Sequence, residues 1–296
     1  MRLFSITISC LWLLLTAACT SPREKADEER LISVTIQPQR YVAERIAGDI
    51  YRINCVIPAG QSPETYDPTP QEMMRIGQSD AYLRIGSIGF EQVWMKAIQE
   101  QNATLPIFDL SKGIELVATH EEASENTAGH HHHGLTDPHI WTSTRNMRVI
   151  AQNTRDAICS LDSLNKDTYE ANYLRLIAEI DSTEAVLDTL LRPLAGTAFI
   201  IYHPALTYLA RDYGLEQLCI EMDGKEPSPA QLKALVEAAK RHNTKVVFVQ
   251  QEFDQKNAEI IARETGCILV PINPLDYNWP ESMLTIGKAL ASWKKN

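Results

Sequence analysis

Basic charge is in short supply: among 296 residues, 28 Lys and Arg stand against 38 Asp and Glu, a formal net charge of −10. With no basic stripe to displace phosphate counterions, a nucleic-acid partner is excluded. A retained membrane span is lacking too, because the apolar stretch Leu3 to Leu15 falls short of the ~20 residues needed to cross a bilayer. The six cysteines include no C-x-x-C pair. Gly86-Ser87-Ile88-Gly89 is not G-x-G-x-x-G, and no Walker lysine follows it, which argues against a nucleotide site. There is no G-x-S-x-G, and His120-Glu121-Glu122-Ala123-Ser124 opens like a zincin helix but lacks the second histidine. The common hydrolase and nucleotide signatures are therefore missing.

What is present is an ordinary globular composition, 44% hydrophobic and 22% charged, in a chain long enough for two domains. Arg2, the apolar stretch to Leu15 and the small residues Thr16-Ala17-Ala18 have the layout of a secretory signal over 1–18. Cys19 follows directly and resembles the lipidated cysteine of a bacterial lipobox, although Thr16 stands where that pattern usually has Leu. The expectation is an exported chain, lipid-anchored through Cys19 on the periplasmic side of the cell envelope, or soluble in the periplasm if unlipidated. Residues 19–30 then form a polar tether. Cys55, Cys159, Cys219 and Cys267 remain, widely spaced; export would permit disulfides, while Cys55 and Cys267, in apolar strand-like runs, read as buried free thiols.

Short apolar runs alternate with amphipathic stretches, which predicts an α/β fold with parallel sheets. Strands are expected at Ile32 to Ile36, Ile53 to Ile57, Ala81 to Ile85, Ala198 to Tyr202, Leu218 to Met222, Val246 to Gln250 and Ile268 to Ile272. Helices fall between them, among them Ala205 to Tyr213 and a last one at Pro280 to Lys294. The stretch Asp167 to Leu191 has apolar residues at helical spacing and no Gly or Pro, which predicts one long helix. The simplest arrangement is two Rossmann-like lobes, 31–165 and 193–296, bridged by a linking helix over 166–192. Ligands of such sheets bind beyond the carboxyl ends of the strands, so a cleft between the lobes is the expected site.

Imidazoles and carboxylates gather at those ends. Glu64 follows the second strand, His203 the first strand of the second lobe, Glu252 the strand at Val246, and Asn273 and Asp276 the last strand. His139 closes a loop that begins at His120 and carries the run His130, His131, His132 and His133. Neutral imidazole is the commonest metal ligand and His-rich tracts favour divalent cations. Two imidazoles with one or two carboxylates suit Zn²⁺ or, as oxygens are added, Mn²⁺. His242 lies at the amino end of its strand and is left out.

Pro58-Ala59-Gly60 with Pro63-Glu64-Thr65-Tyr66-Asp67-Pro68-Thr69-Pro70, Asp137-Pro138-His139-Ile140-Trp141, His203 and Gly224-Lys225-Glu226-Pro227-Ser228-Pro229 form an ordered set. Together they resemble the solute-binding proteins of zinc and manganese ABC importers, the ZnuA/TroA-like type. The resemblance covers the chain from about Ile32 onward. It implies one metal ion held between the lobes by His139, His203, Glu64 and Asp276, with Asn273 and Glu252 as further candidates. Glu64 stands where the family has a histidine, and the acid of the last turn has moved from the place of Asn273 to Asp276. The run of histidines from His120 to His133 implies a loose accessory loop and tilts the choice to zinc. The implied function is capture and release without catalysis, with delivery to an ABC permease and its ATPase, by a monomer tied to the membrane through its lipid. The alternatives are a secreted zinc hydrolase with Glu252 as base, or an adhesin-like role of the same fold.

Overall fold

The computed structural model describes residues 30–118, 136–221, 225–253 and 255–292. The expected signal, Cys19 and the histidines from His120 to His133 lie outside the described residues. The first lobe runs β1 (Leu31–Val34), α1 (Gln37–Ala47), β2 (Arg52–Cys55), α2 (Pro70–Gly77), β3 (Ala81–Arg84), α3 (Gly89–Gln101) and β4 (Ile107–Asp109). Two helices follow, α4 (Thr144–Leu161) and α5 (Lys166–Leu191). The second lobe continues with β5 (Ala198–Ile201), α6 (Thr207–Tyr213), β6 (Glu216–Cys219), α7 (Pro229–Arg241), β7 (Val246–Gln250), α8 (Lys256–Thr265), β8 (Ile268–Ile272) and α9 (Trp279–Ala291). The two-lobe α/β reading with its long helix holds.

One strand is added and two local expectations shift. β4 is only three residues long, too short to announce itself as an apolar run. α6 starts at Thr207 rather than Ala205, because the Ala205 amide first closes a turn onto the His203 carbonyl at 2.7 Å. β6 occupies Glu216–Cys219 instead of Leu218 to Met222, so residues 220 and 221 lie past the strand's carboxyl end.

Both sheets are parallel and have the same strand order, β2-β1-β3-β4 and β6-β5-β7-β8. Their registers also correspond: Val34 sits opposite Cys55 and Leu83, and Ile201 opposite Cys219 and Phe248. Counting on from these partners, Ile36 and His203 hold equivalent stations in the two lobes. In a doubly wound sheet this point, where the strand order reverses, is the ligand site. In the first lobe it is plugged. Glu91 of α3, 1% exposed, accepts hydrogen bonds there from the Thr35 hydroxyl and from the amides of Ile85 at 2.7 Å and Gly86 at 2.8 Å. In the second lobe the equivalent station is open and carries an imidazole.

One core joins the lobes. Along β7 the side chains alternate, as strand geometry requires: Val246 and Phe248 face a core shared with the first lobe, Val247 and Val249 a smaller one under α8. The shared core contains Ile32 and Tyr82 of the first sheet, Phe199 of the second, and Trp279 and Ile286 of α9. The helix α5 runs through it for 26 residues, about 39 Å at 1.5 Å per residue. Its buried stripe is Tyr169, Leu176, Ile180, Thr183, Leu187 and Leu191. Gly287 lets α9 approach this stripe closely, since a Cβ there would stand 2.5 Å from Leu187 Cδ2.

Two outcomes are expected from this packing. Gly287→Ala forces the fully buried Leu187 aside and costs about 1–3 kcal/mol in urea unfolding, whereas Thr285→Ala on the exposed face of α9 stays within about 0.5 kcal/mol. Equal effects would mean that the α5–α9 approach is not tight. Burial pushes Glu91 up to about 7 from an ordinary 4.5, outweighing the hydrogen bonds that favour its charged form. The folded protein then holds this proton while the unfolded chain has released it, so the group's contribution to stability falls as pH rises from about 4.5 through 7. Glu91→Gln removes that slope. Between pH 5 and 8 the parent should lose on the order of 2 kcal/mol relative to the variant; parallel stability curves would show that Glu91 ionises as an ordinary carboxylate.

Candidate metal centre

His139 is positioned by its own loop and by the other lobe. Asp137 Oδ1 accepts the His139 amide at 2.8 Å and faces Nδ1 of the same residue at 2.9 Å. Burial alone would raise the Asp137 carboxyl, but the charge and hydrogen bonds of His139, with another from Thr207, hold it below its ordinary value. The base of the loop is fastened twice: the Asp137 amide donates to the Val117 carbonyl at 2.8 Å, and Tyr208 of α6 donates its hydroxyl to the Asp137 carbonyl at 2.7 Å. Just beyond, Trp141 Nε1 donates to the Pro274 carbonyl at 3.0 Å and Trp279 Nε1 to the Trp141 carbonyl at 2.7 Å. The backbone around His139 is thus bolted to α6, to the β8–α9 loop and to α9.

His203 follows β5. Gln250, at the end of β7, donates to the His203 carbonyl at 2.7 Å and accepts from its amide at 3.3 Å. Phe253 stacks on the ring with centroids 5.2 Å apart and planes at 16°. Nδ1 faces both carboxylate oxygens of Glu221, at 3.1 and 3.2 Å.

The two imidazoles meet Nε2 to Nε2 at 3.2 Å. A carboxylate beside Nδ1 requires the proton on that nitrogen, which leaves Nε2 as a bare acceptor. With both rings neutral in this tautomer, the two Nε2 lone pairs share one small space, which either a proton on one ring or a metal ion between them can fill. Two nitrogens bound to one tetrahedral zinc at the usual ~2.0–2.1 Å stand about 3.3–3.4 Å apart. The observed spacing therefore suits a shared metal ion.

Around the pair the cleft is walled by Glu64, Trp141, Glu252, Phe253, Pro274 and Leu275, among others. Glu252 is half-buried, and its Oε1 has no hydrogen-bond partner. Burial pushes its acid up, against its own backbone hydrogen bond and the His203 charge. Glu252 and the two imidazoles thus line one cleft, and Glu252 Oε1 is left without a hydrogen-bond partner among the described residues. Glu64 is exposed, on a loop held to the start of α3 where the Phe90 amide donates to the Pro63 carbonyl at 2.9 Å. Its carboxylate lies against Gly89, where a Cβ would come within 2.5 Å of Oε2 and 3.1 Å of the Glu64 Cα. Only glycine allows this loop so close to α3.

The remaining candidates are placed elsewhere. Asn273 Oδ1 accepts the Leu275 amide at 3.0 Å and Asp276 Oδ1 the Asn278 amide at 2.7 Å, so both stabilise the β8–α9 turn, and neither lines the cleft. That turn contributes Pro274 and Leu275 to the wall instead. His242 pairs with Glu216 at 3.0 Å, away from the cleft. Among the described residues no three His, Cys, Asp or Glu side chains stand close enough to hold an ion as they are. The histidine pair is assembled; the carboxylates of Glu64 and Glu252 wall the same cleft without joining it in a cluster. Sequence reasoning passed over Glu221, Gln250 and Phe253. A placement of the β6 end at Cys219 would have brought Glu221 into view.

Comparison with known proteins identifies the family and supports the fold. A family model described as "Zinc-uptake complex component A periplasmic" matches residues 32–289. The High-affinity zinc uptake system protein ZnuA of Bacillus subtilis is 30% identical over 275 residues, covering 89% of this chain and 85% of that protein. The Zinc-binding lipoprotein AdcA of Streptococcus pneumoniae is 26% identical over 287 residues, and this chain spans only 56% of its length. A crystal structure of ZnuA superposes with a TM-score of 0.81 at 34% identity, covering 89% of this chain and 98% of the other. A ZnuA deletion mutant with zinc bound gives 0.80 at 34%, covering 89% and 97%. From residue 32 to residue 289, in sequence and in fold, the chain belongs to the family of the periplasmic component A of zinc-uptake complexes.

Proposed function

We propose that this protein is an exported receptor that captures Zn²⁺ between its lobes and delivers it to an ABC permease and that permease's ATPase. The observation that carries the reading is the pair of imidazole Nε2 atoms 3.2 Å apart, one from each lobe. The ion is cargo, and the work is capture and release, with no bond made or broken in the protein. His139 and His203 supply the nitrogens. Glu64 and Glu252, which wall the cleft, supply oxygen, and Asp276, whose Oδ1 accepts the Asn278 amide, is a further candidate. Imidazole nitrogens favour zinc, while each carboxylate that joins them makes Mn²⁺ a better guest. The names of the zinc-uptake relatives support the former. Cys19 anchors the chain in the envelope by its lipid, and the histidines from His120 to His133 collect ions loosely and pass them inward. A zinc hydrolase has no counterpart among these relatives.

Metal analysis after chelation and reloading tests this. One zinc per chain should remain after gel filtration, with manganese held more weakly. His139→Ala and His203→Ala should each weaken zinc binding at least 100-fold, and deleting Gly129 to His133 should leave the tight site intact. At a free zinc concentration 100 times Kd, the parent should gain about 2.7 kcal/mol of stability, and neither histidine variant should match it. Absence of stoichiometric zinc, or full retention in both variants, would contradict the proposal.

A further inference from the structure

His203 is held by three kinds of contact, each governing a different freedom. Gln250 fixes its backbone through the amide at 3.3 Å and the carbonyl at 2.7 Å. Phe253 fixes the plane of the ring, at 16° and 5.2 Å, but has no say in which nitrogen bears the proton. The protein groups facing Nδ1 are the two oxygens of Glu221, at 3.1 and 3.2 Å. We propose that Glu221 is a positioning residue for metal capture: by accepting the Nδ1 proton it holds His203 in the tautomer whose bare Nε2 meets the ion.

The proposal rests on the receptor reading above, and His139 shows why it matters. That ring is held by Asp137, two residues away in its own loop, which also binds the His139 amide. Its tautomer is built into the turn. His203 has no such neighbour, and the carboxylate comes from past the end of the adjacent strand, 18 residues later. It arrives there because β6 ends at Cys219 and the Glu221 amide donates to the Tyr202 carbonyl at 3.0 Å, one residue before the histidine. The parallel ladder itself delivers the carboxylate to the ring. Left alone, a neutral imidazole favours its proton on Nε2, and a proton there would occupy the lone pair that the metal needs. The Glu221 side chain is largely buried and makes no other hydrogen bond among the described residues, so removing it leaves the Gln250 and Phe253 contacts in place. Carboxylates in this relation to ligating histidines commonly contribute 10–100-fold to metal affinity.

The experiment is nitrogen-15 NMR of the His203 ring in the metal-free full chain, with zinc affinity by chelator competition, for the parent, Glu221→Ala and Glu221→Gln. The parent should show the proton on Nδ1. Glu221→Ala should move it toward Nε2 and weaken zinc about 10–100-fold. Glu221→Gln keeps a carbonyl acceptor and should restore the Nδ1–H tautomer and most of the affinity. A Glu221→Ala protein that keeps the parent tautomer, or binds zinc within threefold of the parent, overturns the proposal. So does a Gln variant as impaired as the Ala variant. A parent that binds no zinc defeats the receptor reading, while the tautomer of the Glu221→Ala protein still decides the role of Glu221.

Discussion

Two imidazole nitrogens, Nε2 of His139 and Nε2 of His203, stand 3.2 Å apart, and most of this molecule is arranged so that neither ring can turn away. One belongs to each lobe. Turning either ring would mean displacing Asp137 or Glu221 from Nδ1, and drawing the lobes apart would mean opening a core that runs from the first sheet through α5 and α9 to the second. The fold thus presents two nitrogens, already in place, to a dication.

The two lobes have the same topology and register yet use the equivalent station differently. In the first, Glu91 plugs the switch point with its carboxyl buried under Thr35, Ile85 and Gly86. In the second, His203 and Gln250 leave it open toward the cleft. The first lobe makes its contribution through long loops instead: the one that carries Glu64, and the one that ends at Asp137-Pro138-His139. The nitrogens are rigidly held and the nearby oxygens are not, because Glu64 is exposed and Glu252 lacks a partner.

How much of this was legible in the sequence depended on how local the signal was. The long helix was clear because Asp167 to Leu191 has no Gly or Pro and a regular apolar stripe. His139 and His203 stood out because each lies just where an apolar strand or a loop gives way to a turn. Glu221 was hidden because β6 was expected to run three residues further, to Met222 instead of Cys219, which made it a strand residue instead of one past the strand's end. Asp276 shows the opposite case: a carboxylate in the right turn by sequence, but engaged with the Asn278 amide in the structure. Side-chain direction within a turn is set by tertiary contacts such as the Trp141 bond to Pro274, and no residue pattern encodes these. The plugging of the first lobe by Glu91 was likewise invisible, since a glutamate in a helix reads as solvent-facing until its partners are known.

The central claim is that one metal ion bridges the two lobes through His139 and His203. Anomalous diffraction at the zinc edge, from crystals of the zinc-loaded protein, tests it most directly. A single strong peak about 2.0–2.1 Å from both Nε2 atoms is the result expected. A zinc ion bound elsewhere, with the two imidazoles still facing each other and no metal between them, would contradict it.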